Sequence, residues 1–167
     1  MPIVDFHTLP DDARVWVFGI DRVLDSSAAG RLLVATDIFL EGWAAHGVPL
    51  HAARAWRDDR FLVIAVDQSG EGASGCSIDG LFRALGSLER ELGISLRGGG
   101  RVFYRTPKGD IACVSRDEFA ERASAGEITA DTPVFDTSIT SLGDFRRDFE
   151  RPASRSWHAQ LADSLPG

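Results

Sequence analysis

The sequence predicts an α+β domain, a ferredoxin-like βαββαβ sandwich with an extra strand and a helical C-terminal extension. Segments with strand-like and helix-like patterns alternate in the order β-α-β-β-α-β. Only Asp58-Asp59 separates the second and third strands, which leaves no room for a crossover helix and argues against a doubly wound sheet. The chain has 167 residues, of which 44% are hydrophobic and 26% charged, as expected for one packed domain.

The first strand and the first helix occupy residues 14–49. Residues 14–20 are rich in β-branched and aromatic side chains, which indicates a buried strand. Ser26 or Ser27 is suited to the N-cap of a long amphipathic helix. We expect that helix to end near Gly47, with His46-Gly47 supplying a cation and a glycine cap.

A hairpin and a second helix follow. Residues 50–57 and 60–67 flank Asp58-Asp59, a spacing typical of a tight turn. Residues 61–66 are apolar throughout, as in a central strand covered on both faces. Apolar residues at steps of three and four then predict a helix that ends at Gly93: Ile78, Leu81, Leu85, Leu88 and Leu92.

The rest of the chain divides into two further strands and an extension. The strands lie on either side of Pro107-Lys108-Gly109. Ser115 and Glu118 form a capping-box pattern that predicts a short helix. We therefore assign residues 1–114 to a ferredoxin-like core with a mainly antiparallel sheet, and residues 115–167 to a helical or irregular extension packed on the same domain.

Charge and cysteine usage exclude several classes of function. A formal net charge of -7 opposes binding to nucleic acid. Cys76 and Cys113 show no CxxC spacing and no paired histidines accompany them, so we expect no metal site and no cofactor. The sequence contains no apolar run of about 18 residues. We expect a cytoplasmic protein with reduced thiols that does not bind membranes, whose oligomeric state the sequence leaves open.

The predicted site lies where two loops enter helices. In this arrangement we expect the first and third strands to be parallel neighbours, so that Asp21-Arg22 and the loop over residues 70–79 leave the sheet at the same edge. Backbone N–H groups at helix N-termini favour anions. We predict a non-catalytic, regulatory domain that binds a small anionic ligand or a protein partner through Arg22, Asp67, Ser74, Gly75, Ser77 and Asp79.

An alternative prediction uses Cys76 as a catalytic residue. A thiol at the beginning of a helix can act as a nucleophile or a redox sensor. Arg22 would support the thiolate, and Asp67 or a histidine would accept its proton. The alternative without catalysis makes Ser77 the N-cap and Cys76 a small buried residue. Cys113 is expected in the core.

The C-terminal Trp157-His158 pair has two interpretations. A tryptophan in a tail either docks on the body of the domain or forms a partner surface. The second interpretation would suit a structural subunit of a larger assembly.

Several short segments of the sequence form a recognisable set. The most specific is Ser74-Gly75-Cys76-Ser77-Ile78-Asp79, and the others lie at residues 10–16, 46–50, 60–67, 126–135 and 156–158. Together they resemble a small bacterial family, whose members have about this length, occur notably in Bacteroidetes-like lineages and are often labelled "ABC transporter ATPase". The resemblance implies no particular activity. The chain has no G-x-x-x-x-G-K-[ST] motif, ABC signature or Walker B strand, so we exclude a P-loop ATPase.

Overall fold

The computed structural model describes residues 3–70, 72–162 and 165–166. The chain divides into two compact units. The first contains the residues up to Arg97 together with Ser138–Arg147, and the second contains Gly98–Thr137 together with the residues from Asp148 on. This division differs from the predicted boundary after residue 114, because residues 98–114 belong with the C-terminal part of the chain and residues 138–147 return to the first unit.

Helices and strands occur in a mixed order along the chain. Up to residue 97 the elements are β1 (Arg14–Gly19), α1 (Ser26–Glu41), β2 (Ala44–Ala45), β3 (Val48–Pro49), β4 (Ala52–Arg57), β5 (Phe61–Val66) and α2 (Gly75–Leu92). Beyond it they are β6 (Arg101–Arg105), β7 (Ile111–Ser115), α3 (Arg116–Ser124), β8 (Pro133–Phe135), α4 (Leu142–Asp148) and β9 (Glu150–Pro152). The mixed α+β class predicted from the sequence is confirmed.

The main sheet of the first unit is antiparallel and has the order β1-β5-β4. Every residue of the central strand β5 is buried, as its uniformly apolar sequence predicts. The hairpin between β4 and β5 is confirmed, and Asp58 and Asp59 adopt positive φ angles of 56° and 54° that suit a tight, strongly twisted turn. Helices α1 and α2 cover one face of the sheet, with Leu32 and Leu85 among the buried apolar side chains of that layer.

The predicted parallel pairing of the first and third strands is wrong. β1 lies next to β5 but runs antiparallel to it, with Arg14 opposite Val66 and Gly19 opposite Phe61. The reason is geometric: a tight hairpin makes β4 and β5 antiparallel, and the α1 crossover makes β1 parallel to β4. The C-terminal ends of β1 and β5 therefore lie at opposite ends of the sheet, measured along the strands.

The ferredoxin-like topology is not confirmed. In such a sandwich the strand after α2 would join the same sheet, whereas β6 pairs with β7 and β8 in the second unit. That unit contains a four-stranded antiparallel sheet of order β7-β6-β8-β9. Its own core includes Val102, Phe119 and Ile128. The capping box of α3 is confirmed, since Ser115 and Glu118 bond reciprocally.

Two helix ends differ from the prediction. α1 begins after Asp25, whose carboxylate accepts the Ala28 N–H at 2.8 Å, so neither Ser26 nor Ser27 is the N-cap. α1 ends at Gly42, and His46-Gly47 instead form the turn between β2 and β3, with φ angles of 53° and 78°. Among the described residues, no helix is both long enough and apolar enough to cross a bilayer.

Candidate binding groove

The structure separates Arg22 from Cys76. The Arg22 guanidinium donates to the carbonyl oxygen of Gly93, which caps the C-terminus of α2. The Asp21 carboxylate accepts the N–H of nearby Ser95 at 3.3 Å. Cys76 lies at the other end of α2, and the 18 residues of this helix span about 27 Å at 1.5 Å per residue. The predicted meeting of the two loops is therefore wrong, and its cause is the antiparallel β1–β5 pairing.

Hydroxyl groups at the start of α2 are engaged by the helix itself. Ser74, not Ser77, is the N-cap, and its Oγ accepts the Ser77 N–H at 3.2 Å. Ser77 Oγ in turn accepts the Ser74 N–H at 2.7 Å. Trp43 Nε1 donates to the Ser77 carbonyl at 2.8 Å, which fixes this end of α2 to the chain that follows α1.

Cys76 is exposed, which contradicts the alternative that makes it a small buried residue, and Cys113 is half-buried rather than fully in the core. The β2–β3 turn places His46 beside the start of α2, and both Cys76 and His46 line a cavity of about 600 Å³ together with Gly75. His46 reaches this position because His46-Gly47 form the turn between β2 and β3 and not, as predicted, the end of α1.

The remaining loop residues serve turns or face solvent. Asp67 Oδ1 accepts the Ser69 N–H at 2.8 Å, and this hydrogen bond lowers the pKa of Asp67, with a smaller contribution from the charge of His51. Asp79 is an exposed residue of α2 that lies beyond the first turn, which contains no acidic residue. Gly70 lines a small cavity of about 250 Å³ with Asp67 and His51. Glu71, within the predicted loop, lies outside the described residues.

Trp157 and His158 pack within the second unit. The His158 side chain is 1% exposed, and its ring stacks on Trp157 with 4.0 Å between centroids. Nδ1 of His158 lies 2.6 Å from Ser156 Oγ, and Trp157 Nε1 donates to Asp136 at 3.1 Å. Burial lowers the pKa of His158 to about 4, although the charge of Asp136 opposes this shift. His158 is thus not exposed as a partner surface would require.

A larger cavity, of about 670 Å³, wraps round the outer edge of β4. We call it the β4 groove. None of the site residues predicted from the sequence lines this groove. The groove is lined by Ile3, Val4, Asp5, Phe6, His7, Asp37, Glu41, Arg54, Ala55, Trp56, Arg57 and Phe145.

Backbone groups on the outer edge of β4 point into this groove. The Asp67 N–H donates to the backbone carbonyl of His51 at 3.0 Å, which makes these two residues a hydrogen-bonded pair. Such pairs occur at every second position of an antiparallel ladder, so the odd-numbered residues of β4 exchange hydrogen bonds with β5. The N–H and C=O groups of the even-numbered residues point away from β5. The Val4 N–H uses the first outward position by donating to the Ala52 carbonyl at 2.9 Å. Within the described residues, no strand pairs with this edge beyond Ala52. The N–H and C=O groups of Arg54 and Trp56 therefore point away from β5, at the edge where both residues line the groove.

On the side of α1, the groove is charged. Arg54 donates two hydrogen bonds to Asp37, at 2.8 and 3.0 Å, in a half-exposed ion pair. The hydrogen bond to Asp37 raises the pKa of Arg54 above its already high value, against the effect of burial. Glu41, one turn further along α1, adds an exposed carboxylate. With Arg54 neutralised by Asp37, this side has a net negative charge.

On the opposite side, the groove is aromatic. Phe6 contacts Phe145 edge to face with 6.1 Å between ring centroids, and the Arg57 guanidinium lies 5.6 Å from the Phe145 ring. Arg146 on α4 holds the 3₁₀ turn Phe6–Thr8 in place by donating to the Leu9 carbonyl at 3.0 Å. These contacts join the aromatic wall to α4.

The described residues contain no group of three or more His, Cys, Asp or Glu side chains that could hold a metal ion. Comparisons with protein-family models, curated proteins and solved structures gave no match. The resemblance to a small bacterial family therefore stays a prediction.

Proposed function

We propose that the protein is a non-catalytic binding module that takes a short extended peptide segment of a partner protein along the outer edge of β4. One observation carries this proposal: Arg54 and Trp56 both line the 670 Å³ β4 groove, and the register of β4 with β5 directs their N–H and C=O groups away from β5. An extended peptide that adds a strand to a sheet edge satisfies such groups directly.

The spacing of these groups favours a peptide over a small anion. The two residues are two positions apart, which corresponds to about 6.8 Å and matches the repeat of a second strand. Arg54 already has Asp37 as its ion-pair partner, and the neighbouring carboxylate of Glu41 repels anions. The site thus keeps the predicted class, a binding domain, but lies at β4 and not at the two predicted loops.

Selection from a random peptide library on the immobilised protein, followed by affinity measurements, tests the proposal. Trp56→Pro removes an outward N–H and leaves the hydrogen bonds between β4 and β5 in place, since Pro is tolerated at a sheet edge. We expect the selected peptide to bind Trp56→Pro at least tenfold more weakly, with Cys76→Ser as a matched control that binds like wild type. Unchanged binding by a folded Trp56→Pro variant would refute the proposal.

A second candidate is a thiol-dependent enzyme or redox sensor that uses Cys76. The observation in its favour is that His46 and exposed Cys76 line one cavity at the start of α2. Helix N-terminal amides favour a thiolate, and an imidazole can accept the thiol proton.

Alkylation by iodoacetamide tests this candidate in a Cys113→Ser background, where Cys76 is the sole thiol. If His46 acts on Cys76, the His46→Ala variant should react several-fold more slowly at neutral pH. His51→Ala, which alters the neighbouring small cavity, is the matched control. Equal rates in all three proteins would rule out the His46–Cys76 pair.

A further inference from the structure

Side chains of β4 point alternately to the two walls of the β4 groove. Arg54 is hydrogen-bonded to Asp37 of α1, which places the even-numbered side chains of β4 on the α1 face of the sheet. The Arg57 guanidinium lies over the Phe145 ring of α4, which places the odd-numbered ones on the opposite face. Successive side chains of a strand alternate in this way. The charged wall and the aromatic wall therefore belong to opposite faces of the sheet.

A peptide strand added at this edge follows the same alternation. Residues opposite each other on neighbouring strands have their side chains on the same face of the sheet. A peptide residue opposite Arg54 thus faces α1, whereas the next one, opposite Ala55, faces the aromatic wall. The peptide lies beyond Ala52, because the carbonyl of Ala52 already accepts the Val4 N–H at 2.9 Å. Its hydrogen bonds go to the outward groups of Arg54 and Trp56.

The charged wall favours a cation on the peptide. The side chain of Asp37 stays 39% exposed although Arg54 donates to both of its oxygens. A carboxylate oxygen accepts more than one hydrogen bond, so Asp37 can accept from a second cation. Glu41 is exposed, and no described residue pairs with its carboxylate. A lysine or arginine of the peptide is attracted to these two carboxylates, whereas an acidic residue is repelled.

The aromatic wall favours an apolar side chain. Phe6 is half-buried and contacts the buried ring of Phe145. An apolar side chain that covers the exposed part of Phe6 is removed from water itself, which stabilises the complex. Ala55 lines the groove on the same face of the sheet, and its small side chain leaves space for a larger one on the peptide.

We propose that the β4 groove selects peptides in which lysine or arginine alternates with apolar residues. The basic side chains face Asp37 and Glu41, and the apolar ones face Phe6. This inference rests on the proposed strand addition and adds the chemistry of the partner to it. When a peptide adds to a sheet edge, main-chain hydrogen bonds supply affinity and alternate side chains supply specificity.

Two synthetic peptides, compared by fluorescence anisotropy at low salt, test this selectivity. In one peptide lysine alternates with valine, and in the other glutamate replaces each lysine. Glu41→Lys reverses the charge at the last residue of α1, where a cation suits the helix dipole, so the variant should fold. Because the net charge of -7 attracts any basic peptide, a control must change that charge equally. Glu121→Lys, at an exposed residue of α3, is this matched control.

The expected difference is a loss of affinity confined to the groove variant. Wild type and Glu121→Lys should bind the lysine peptide equally well, and both more tightly than the glutamate peptide. An exposed ion pair contributes up to about fivefold in affinity, and the new repulsion adds to its loss, so Glu41→Lys should bind the lysine peptide about tenfold more weakly. Equal weakening by Glu41→Lys and Glu121→Lys would overturn the proposal, as would the absence of lysine-peptide binding by wild type at millimolar concentration.

Trp56→Pro distinguishes a failure of this inference from a failure of strand addition. If wild type binds both peptides equally and Trp56→Pro binds neither, strand addition stands and the selectivity is refuted. If the lysine peptide binds Trp56→Pro as tightly as wild type, the peptide lies elsewhere on the protein and both proposals fail.

Discussion

Substitution of His158 should remove a large part of the acid sensitivity of the second unit. The His158 ring is buried against Phe119 and Trp157 and lies 2.6 Å from Ser156 Oγ. Burial lowers its pKa from 6.5 to about 4, with Asp136 opposing this shift and Arg151 adding to it. His158→Asn keeps a polar atom near the position of Nδ1 and removes the titration.

The sign and size of the effect follow from linkage. Because the pKa of His158 is lower in the folded state, the unfolded state binds the proton more tightly, and stability is lost as pH falls from about 6.5 towards 4. The full difference corresponds to about 3 kcal/mol, of which about 2 kcal/mol should be lost between pH ~7.5 and pH ~5. Above pH ~7 the contribution to the pH dependence vanishes.

Urea denaturation at the two pH values measures this difference. The loss of unfolding free energy on acidification should be about 2 kcal/mol smaller in His158→Asn than in wild type. His7→Asn, at an exposed histidine, is the matched control and should behave like wild type. If His158→Asn and wild type lose the same free energy between the two pH values, the buried neutral imidazole is not present.

Three substitutions in the helices, at Gly93, Gly80 and Ser115, give further predictions for the free energy of unfolding. Gly93 ends α2 with a φ of 66°, so Gly93→Ala should lower the unfolding free energy by about 1 kcal/mol. Gly80→Ala should raise the unfolding free energy by about 0.5 to 1 kcal/mol, because an added Cβ meets only the Arg83 guanidinium at 3.9 Å. If urea titrations show that the Gly93→Ala and Gly80→Ala variants change the unfolding free energy in the same direction, the assignment of the helix end is contradicted. Ser115→Ala removes the acceptor of the Glu118 N–H at 3.1 Å and should cost about 1 kcal/mol, and an unchanged urea midpoint would show that the capping box is not formed.

Three local signals in the sequence predicted local structure correctly, whereas the predicted ends of α1 and the predicted N-cap of α2 were wrong. The Asp58-Asp59 turn, the glycine end of α2 at Gly93 and the capping box at Ser115 were each identified from neighbouring residues, and each is present. Such features depend on contacts within a few positions of the chain, which one sequence contains in full.

Features set by distant contacts were missed. The direction of β1 relative to β5 follows from the hairpin and the crossover together, and the pairing of β6 with β8 joins residues about thirty positions apart. The β4 groove could not be predicted because Arg54 and Trp56 line a site only when β4 is an edge strand. Likewise, the side chain of His46 reaches the Cys76 cavity only through the turn between β2 and β3.

The most direct test of the binding proposal is amide hydrogen exchange with and without the peptide selected from the library. The N–H groups of Arg54 and Trp56 should exchange quickly in the protein alone and become strongly protected when the peptide is bound, while those of Ala53 and Ala55 are protected in both states. Protection that arises at residues 74–79 instead, with Arg54 and Trp56 unchanged, would contradict strand addition at β4.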